Sequence, residues 1–419
     1  MLDVLVLLLV LVVARACGEG ATRLGQTGSV GELLAGIGLA LLAVWLGDWV
    51  PVLPALTSNE ILGQLAQLGI FFLVLQAGIE MEPSEIAERS AGALPVALGG
   101  IVLPLGLGVL LGWWFLPAAP EKTAQALLIG VALSITAIPA TVKVLGDFGL
   151  LHRRVGETVV SAAIFDDVFG LFLLAVLTAV IQTGQLPAAG DLLILLLKVA
   201  VFFGITVTLG VHVYPRAHRG LRTMQAAALE LSALIAVAIA YGLLAEALGI
   251  HWIMGAFMAG LFFEKSRVGA QAYGSLKLIV GAISGGILAP LFFVWIGLQV
   301  AFTGLGPMLP FLGALIAAGF FGKVVGAGAP ALMLGYSRRD AAVVGVGMTS
   351  RGAVELVVLS IALEAGLLTQ NAGLKDGETP LFSILVVTAV VNTLLMPLVL
   401  GRLCKPERAP TRAPRRRPD

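Results

Sequence analysis

Apolar stretches roughly twenty residues long recur along the chain between short polar turns, a pattern that predicts membrane-spanning helices rather than the amphipathic helices of a water-soluble core. The runs fall at residues 1–17, 30–49, 59–79, 91–115, 122–146, 156–182 and 188–214, then at 223–245, 248–263, 279–301, 308–334, 341–367 and 380–403. That makes thirteen expected spans. Glu246 and His251 mark the turn that divides the long run between Thr223 and Phe263. The apolar start, Met1 to Val13, lacks a basic leading segment and a cleavage site, so it reads as the first span and not as a signal peptide.

Composition agrees with this reading. Hydrophobic residues make up 58% of the chain and charged residues 12%, which places it among all-α polytopic membrane proteins and excludes a soluble enzyme. A formal net charge of +1 gives no reason to expect nucleic acid as a partner. Cys17 and Cys404 lie at opposite ends, without the spacing of a metal site or a disulfide framework.

Lys and Arg accumulate on the cytoplasmic side of a membrane. With thirteen spans, one side collects Arg15, Arg23, Arg89, Arg153, Arg154, Arg216, Arg219, Arg222, Lys265, Arg267, Lys277, Arg338 and Arg339, together with the basic tail from Arg402 to Arg417. The other side holds Lys122 and Lys375. This asymmetry predicts an N-terminus outside and a C-terminus in the cytoplasm; the expected location is the cell inner membrane. The loop with Glu80, Glu82, Glu85 and Glu88 beside Arg89 is an acidic exception, and acidic residues weigh little in topology.

Against this apolar background, Asp166 and Asp167 stand side by side in the middle of the sixth span, where each charge costs at least a few kcal/mol. Buried carboxylates at that depth mark an ion or proton pathway. Lys323 falls in the eleventh span. Two further spans are interrupted, the fifth at Ser134-Ile135-Thr136-Ala137-Ile138-Pro139-Ala140-Thr141 and the twelfth at Gly347-Met348-Thr349-Ser350-Arg351-Gly352, followed by Glu355. Spans four to six correspond to spans eleven to thirteen, with an odd span at 188–214 between the halves. The interruptions then occupy equivalent places, as in inverted-topology repeats whose broken helices cross at the midplane.

These residues resemble a known family. Gly31-Glu32-Leu33-Leu34-Ala35-Gly36, Gln76-Ala77-Gly78-Ile79-Glu80, Ser134 to Thr141 with Lys143-Val144-Leu145, Phe165-Asp166-Asp167, Gly255 to Gly260 and Arg351-Gly352 are similar, in order, to motifs of the bacterial monovalent cation:proton antiporter-2 family. That family belongs to the sodium/proton antiporter superfamily. The Asp pair with a lysine in the eleventh span looks like its electrogenic, NapA-type members, and the resemblance reaches to about Lys405.

The resemblance implies the NhaA/NapA-like fold, no cofactor, and transported Na+ or Li+ and H+. It further implies a homodimer and Asp167 as the principal carrier of cation or proton. Asp166 pairs with Lys323 while the cation is absent, and two protons exchange for one Na+. Thr136, with backbone groups near Ala137, would complete an oxygen shell for Na+ at Asp167, with Ser134 as a further contributor. The expected organisation is 1–115 for spans one to four, 116–183 for the broken fifth span and the Asp pair, and 184–222 for a linker. Then come 223–305 for spans eight to ten, 306–403 for spans eleven to thirteen, and 404–419 for a disordered basic tail. Spans four to six and eleven to thirteen would move as a core against the others.

The twelfth span departs from the family pattern. Relatives place an acid two residues after the arginine, whereas this chain has Ala353 there and Glu355 two positions on, turned by about 200° on a helix. Arg351 and Glu355 are therefore expected as a stabilising ion pair beside the crossover. Other readings stay open at this level. Ser134 and Thr136 could bond carbonyls one turn back. Gly255 to Gly260 suits helix packing, and Glu32, Glu230 and His251 suit interfaces or hairpins. A K+/H+ antiporter of the same fold is the closest rival function, ahead of a cation channel. An intramembrane aspartyl protease would need carboxylates facing each other from separate helices, and adjacent residues on one helix diverge by about 100°.

Overall fold

The computed structural model describes residues 2–46, 49–50, 53, 56, 59–80, 90–151, 153–183, 189–213, 227–301, 306–368 and 380–404. Several sequence expectations fall outside these residues: the acidic stretch Glu82 to Arg89, Arg216, Arg219, Arg222, Lys375 and the tail beyond Cys404. The described chain is all-helical. Its first half runs α1 (Leu2–Arg23), α2 (Gly28–Leu46), α3 (Glu60–Glu80), α4 (Ser90–Phe115), α5 (Lys122–Ser134), α6 (Ile138–Asp147) and α7 (Arg154–Thr183). After α8 (Ala189–Thr208) the second half runs α9 (Ala227–Ala247), α10 (Ile253–Leu261), α11 (Ala270–Ile283), α12 (Ala289–Leu298), α13 (Leu309–Met333), α14 (Arg338–Gly347), α15 (Ala353–Glu364) and α16 (Pro380–Leu403).

By length and composition, nine helices among the described residues can cross a membrane. The other expected spans are helical but shorter. The fifth and twelfth are each broken into two half-helices, α5/α6 and α14/α15, the ninth is the short α10, and the odd linker span is α8. A π-helical turn at Ser284–Leu288 joins α11 to α12 in the tenth span.

Packing divides the helices into two groups. In one, α4 and α13 form the spine, crossing where Gly99 meets Gly326 so closely that neither position has room for a Cβ. Pro104 inside α4 likewise rests on Gly322 of α13. Around this spine sit α5, α6, α7, α14, α15 and α16. In the other group, α2 meets α12 at Gly36 and Gly297, and α3 meets α10 at Gly78 and Gly260. Glycines let helix backbones touch where lipid offers no hydrophobic driving force.

The two seams are related by the repeat. Gly31…Ala35-Gly36 in the second span and Gly255…Ala259-Gly260 in the ninth carry one spacing, and the first glycine of each abuts the preceding helix, at Cys17 and Gly242 respectively. Glu32 is buried behind this seam and lies 3.5 Å from Arg15. Arg15 in turn donates to the carbonyls of Gly285 and Gly286, two carbonyls within the π turn.

The two groups meet unevenly. Among the described residues their broadest direct contact is α15 against α3. One apolar core runs from the α2–α3–α10–α12 group into α5, α15 and the first half of α16. A second core contains residues of α4, α6, α7, α13, α14 and the end of α16, and none from the glycine-seam group. The groups are therefore sealed together on the face bearing α5 and α15. On the opposite face, where Arg153, Arg154, Arg338, Arg339 and Arg402 are exposed, the cores are separate.

Candidate functional site

The site forms where the two interrupted spans cross. α5 stops at Ser134, and Ile135 and Ala137 are extended, with φ/ψ of −78/142° and −98/108°. Pro139 then opens α6 at a position where its missing N–H costs nothing. Across from it, α14 ends at Gly347 and α15 begins after Gly352, whose lack of a side chain leaves room for Ala137. The Ala137 N–H donates to the Ser350 carbonyl at 2.9 Å, and the Ser350 hydroxyl donates to the Ala137 carbonyl at 2.9 Å. Thr141 Oγ1 lies 2.9 Å from the Gly347 carbonyl and 2.6 Å from Ser350 Oγ, and its single proton serves one of the two at a time. Hydroxyls thus replace the ladder bonds that both breaks give up.

Lys323, Asp166 and Thr136 come together on one side of this crossing. The Lys323 ammonium donates to Asp166 Oδ1 at 2.9 Å and to Thr136 Oγ1 at 2.7 Å, and neither Lys323 nor Asp166 has any exposed surface. The Thr136 hydroxyl donates to the Met348 carbonyl at 3.1 Å, which turns its lone pairs toward Lys323. Asp167 is 7% exposed while Asp166 is fully enclosed, so the next residue along α7 is the one with access to the outside of the core. Asp166 Oδ2 and Asp167 Oδ1 have no hydrogen-bond partner. Two free carboxylate oxygens and a threonine hydroxyl suit a hard cation of low charge.

The remaining sequence candidates separate by role. Ser134 donates back to the Val131 carbonyl at 2.8 Å and is spent within its own helix. Ala137 has its carbonyl engaged by Ser350. Arg351 is within ion-pair range of Glu355, as expected, and it does more: it sits in the extended break and its guanidinium reaches the end of α5. It donates to Ala132 O at 3.1 Å, to Leu133 O and Ile135 O, and more distantly to Gly319 O at 3.4 Å. A cation there offsets the negative end of the α5 half-helix. Glu355 is 3.7 Å from Arg351 Nε, inside ion-pair range but beyond a hydrogen bond.

A family model described as "Sodium/hydrogen exchanger, transmembrane" matches residues 6–405. The chain belongs to this exchanger family. The exchanger is 30% identical over 394 residues to the Na+/H+-K+ antiporter GerN of Bacillus cereus, covering 94% of each chain. It is 26% identical over 402 residues to the Na+/H+ antiporter of Enterococcus hirae, covering 96% of this chain and 97% of that one. Among solved structures it is similar to the sodium proton antiporter MjNhaP1 from Methanocaldococcus jannaschii, with a TM-score of 0.68, 17% identity and coverage of 96% and 97%. That likeness concerns the fold. The exchanger is a cation:proton antiporter and not an enzyme.

Two polar residues of the candidate site escaped the sequence reading. Thr393 on α16 accepts the Arg351 N–H at 3.0 Å and donates to the Arg351 carbonyl at 3.1 Å, and Asn392 beside it is fully buried with its amide atoms unpartnered. An Asn-Thr pair in the middle of an apolar span carries the same signal as the Asp pair, in weaker form. Thr141, quoted only as part of a motif, is a staple of the crossing. Thr141→Val is expected to leave the Gly347 carbonyl unpaired and to lower stability by about 1–3 kcal/mol, read as reduced resistance to unfolding in detergent.

Proposed function

We propose that this antiporter exchanges Na+ or Li+ for H+ with net movement of charge, at a site made of Asp166, Asp167, Lys323 and Thr136 that opens alternately to the two sides of the membrane. The observation that carries this reading is the Lys323 ammonium, held between Asp166 and Thr136 at 2.9 and 2.7 Å. A cationic group already rests among the oxygens proposed to receive the transported ion. An arriving Na+ at Asp167 and Thr136 competes with it for Thr136, and a displaced Lys323 can give up its proton. Asp167, able to hold either a proton or a cation, makes the two cargoes mutually exclusive. Two protons against one Na+ follow if both groups release theirs.

The uneven packing supports alternating access. Helices α4–α7 and α13–α16 are proposed as the moving core, and α1–α3 with α9–α12 as the stationary part and the homodimer contact. In this state the α5/α15 face is closed. A cavity of about 20 Å³, room for about one water, lies at the crossing, between Ser29, Leu33 and Phe293 on one group and Arg351, Gly352 and Thr393 on the other. The arginine-bearing face, where the cores are separate, is proposed as the open one, and the positive-inside rule supports a cytoplasmic position for it, with the C-terminus on that side and the N-terminus outside.

A K+-coupled mode is the second reading, favoured by the similarity to a relative named as a Na+/H+-K+ antiporter. Purified protein in liposomes with an imposed pH gradient and an internal pH dye separates the two. Na+ and Li+ should each dissipate the gradient, faster when a permeant ion clears the charge. A response to K+ alone would transfer the protein to the second reading, and indifference to a permeant ion would remove net charge movement.

A further inference from the structure

Glu355 is a buried carboxyl that the proposed ion site does not use. It lies in the first turn of α15, is 1% exposed, and neither of its oxygens has a hydrogen-bond partner. A charged carboxylate in that position has two obvious sources of compensation, and it makes a hydrogen bond to neither. The first is the free N–H groups at the start of its own helix, which attract an acid in the first turn; Glu355 bonds none of them. The second is Arg351, four residues back. Its terminal nitrogens are already committed to the carbonyls of Ala132, Leu133, Ile135 and Gly319, leaving Nε at 3.7 Å and itself unbonded.

The other groups facing Glu355 do not change this. The helices in broadest contact with α15 are α3, α5 and α16, and Leu33 of α2 and Phe293 of α12 share a cavity with its Leu356. Among the described residues the charged side chains of these helices are Glu60 and Glu80 at the two ends of α3, Lys122 at the start of α5, Arg402 near the end of α16 and Glu32 of α2, which is paired with Arg15. Lys323 of α13 stands behind Arg351 and is bound to Asp166. Asn392 offers a neutral amide, and its Nδ2 and the Arg351 guanidinium both crowd Gly319. A naked carboxylate is far too costly in such a place, since a buried charge needs both a close counter-ion and hydrogen bonds.

We propose that Glu355 is a second proton-binding site of the crossover, separate from the Asp166–Asp167 pair and occupied by a proton in the state described. Arg351 is then free to serve as the cap of α5, and the acid is stored as a neutral group on the far side of the same crossing. The inference stands independently of which cation is exchanged.

The test uses the full-length protein in detergent and compares Glu355→Gln with wild type. Glutamine has the size and neutrality of the protonated acid. E355Q is expected to melt within about 2 °C of wild type at neutral pH. The infrared spectrum of wild type should contain a protonated-carboxyl C=O stretch that is missing in E355Q. If Glu355 is instead a charged partner of Arg351, E355Q leaves the guanidinium without its counter-ion and melts lower by about 5 °C or more. Such a drop, a failure of E355Q to fold, or spectra that do not differ in the carboxyl region would each overturn the proposal.

Discussion

Asp167→Asn is expected to reduce cation-dependent proton movement in liposomes to the background of empty vesicles, while the protein remains folded. Asparagine keeps the size of the side chain and removes both of its proposed uses, since an amide neither takes up a proton in this range nor presents a full negative charge to a cation. Folding should tolerate the change. Asp167 Oδ1 makes no hydrogen bond, and the residue neighbours the like charge of Asp166, so neutralising it removes a repulsion and no ion pair. The measurement pairs the dye assay with a melting curve on the same preparation. Exchange that survives in a well-folded Asp167→Asn protein would take the cargo away from this carboxylate.

Lys323→Met should act in the opposite way, damaging the fold first. The lysine is fully enclosed, and its removal leaves the Asp166 charge buried beside a threonine hydroxyl that has lost its donor. Breaking a buried pair from one side costs about 3–5 kcal/mol, whereas removing both charges is often nearly neutral. The double variant Asp166→Asn/Lys323→Met is therefore expected to regain most of the lost melting temperature. If the single variant melts like wild type, the 2.9 Å contact contributes nothing to the resting state. If the double variant is no better than the single, the loss came from packing of the lysine stem and not from the orphaned charge.

Much of this architecture was readable before any coordinates. Charges at mid-depth cost enough to stand out, and so Asp166, Asp167 and Lys323 were visible as a set although Asp166 and Lys323 are 157 positions apart. Proline and small polar residues located both breaks. Other features depended on what the breaks do to neighbouring side chains. Arg351 and Glu355 are four apart, which on a continuous helix makes an ion pair. The pair is present at 3.7 Å, but the extended backbone before Gly352 lets the terminal nitrogens of Arg351 reach the carbonyl end of α5, a destination no local spacing encodes. Thr136 and Ser134, two residues apart, are both offered by the sequence as oxygen donors, Thr136 first and Ser134 as a further contributor; the Met348 carbonyl, supplied by the other repeat, turns Thr136 outward, while Ser134 bonds back to its own helix. The glycine seams were legible as packing, but their pairing across repeats, second span with tenth and third with ninth, needed the fold.

The double hydrogen bond of Lys323 also bears on leakage. A carrier that must return without its cation has to take an empty site across the hydrocarbon, and exposed carboxylates would either stall there or draw in stray ions. Here the protein supplies its own monovalent charge, covalently tethered, to fill the place between Asp166 and Thr136. On the proposed mechanism the cation-free form, with its proton on Lys323, would be hard to occupy by accident. An ion from solution would gain entry only by evicting a tethered competitor, and that contest, more than any fixed gate, would keep the two flows locked to each other.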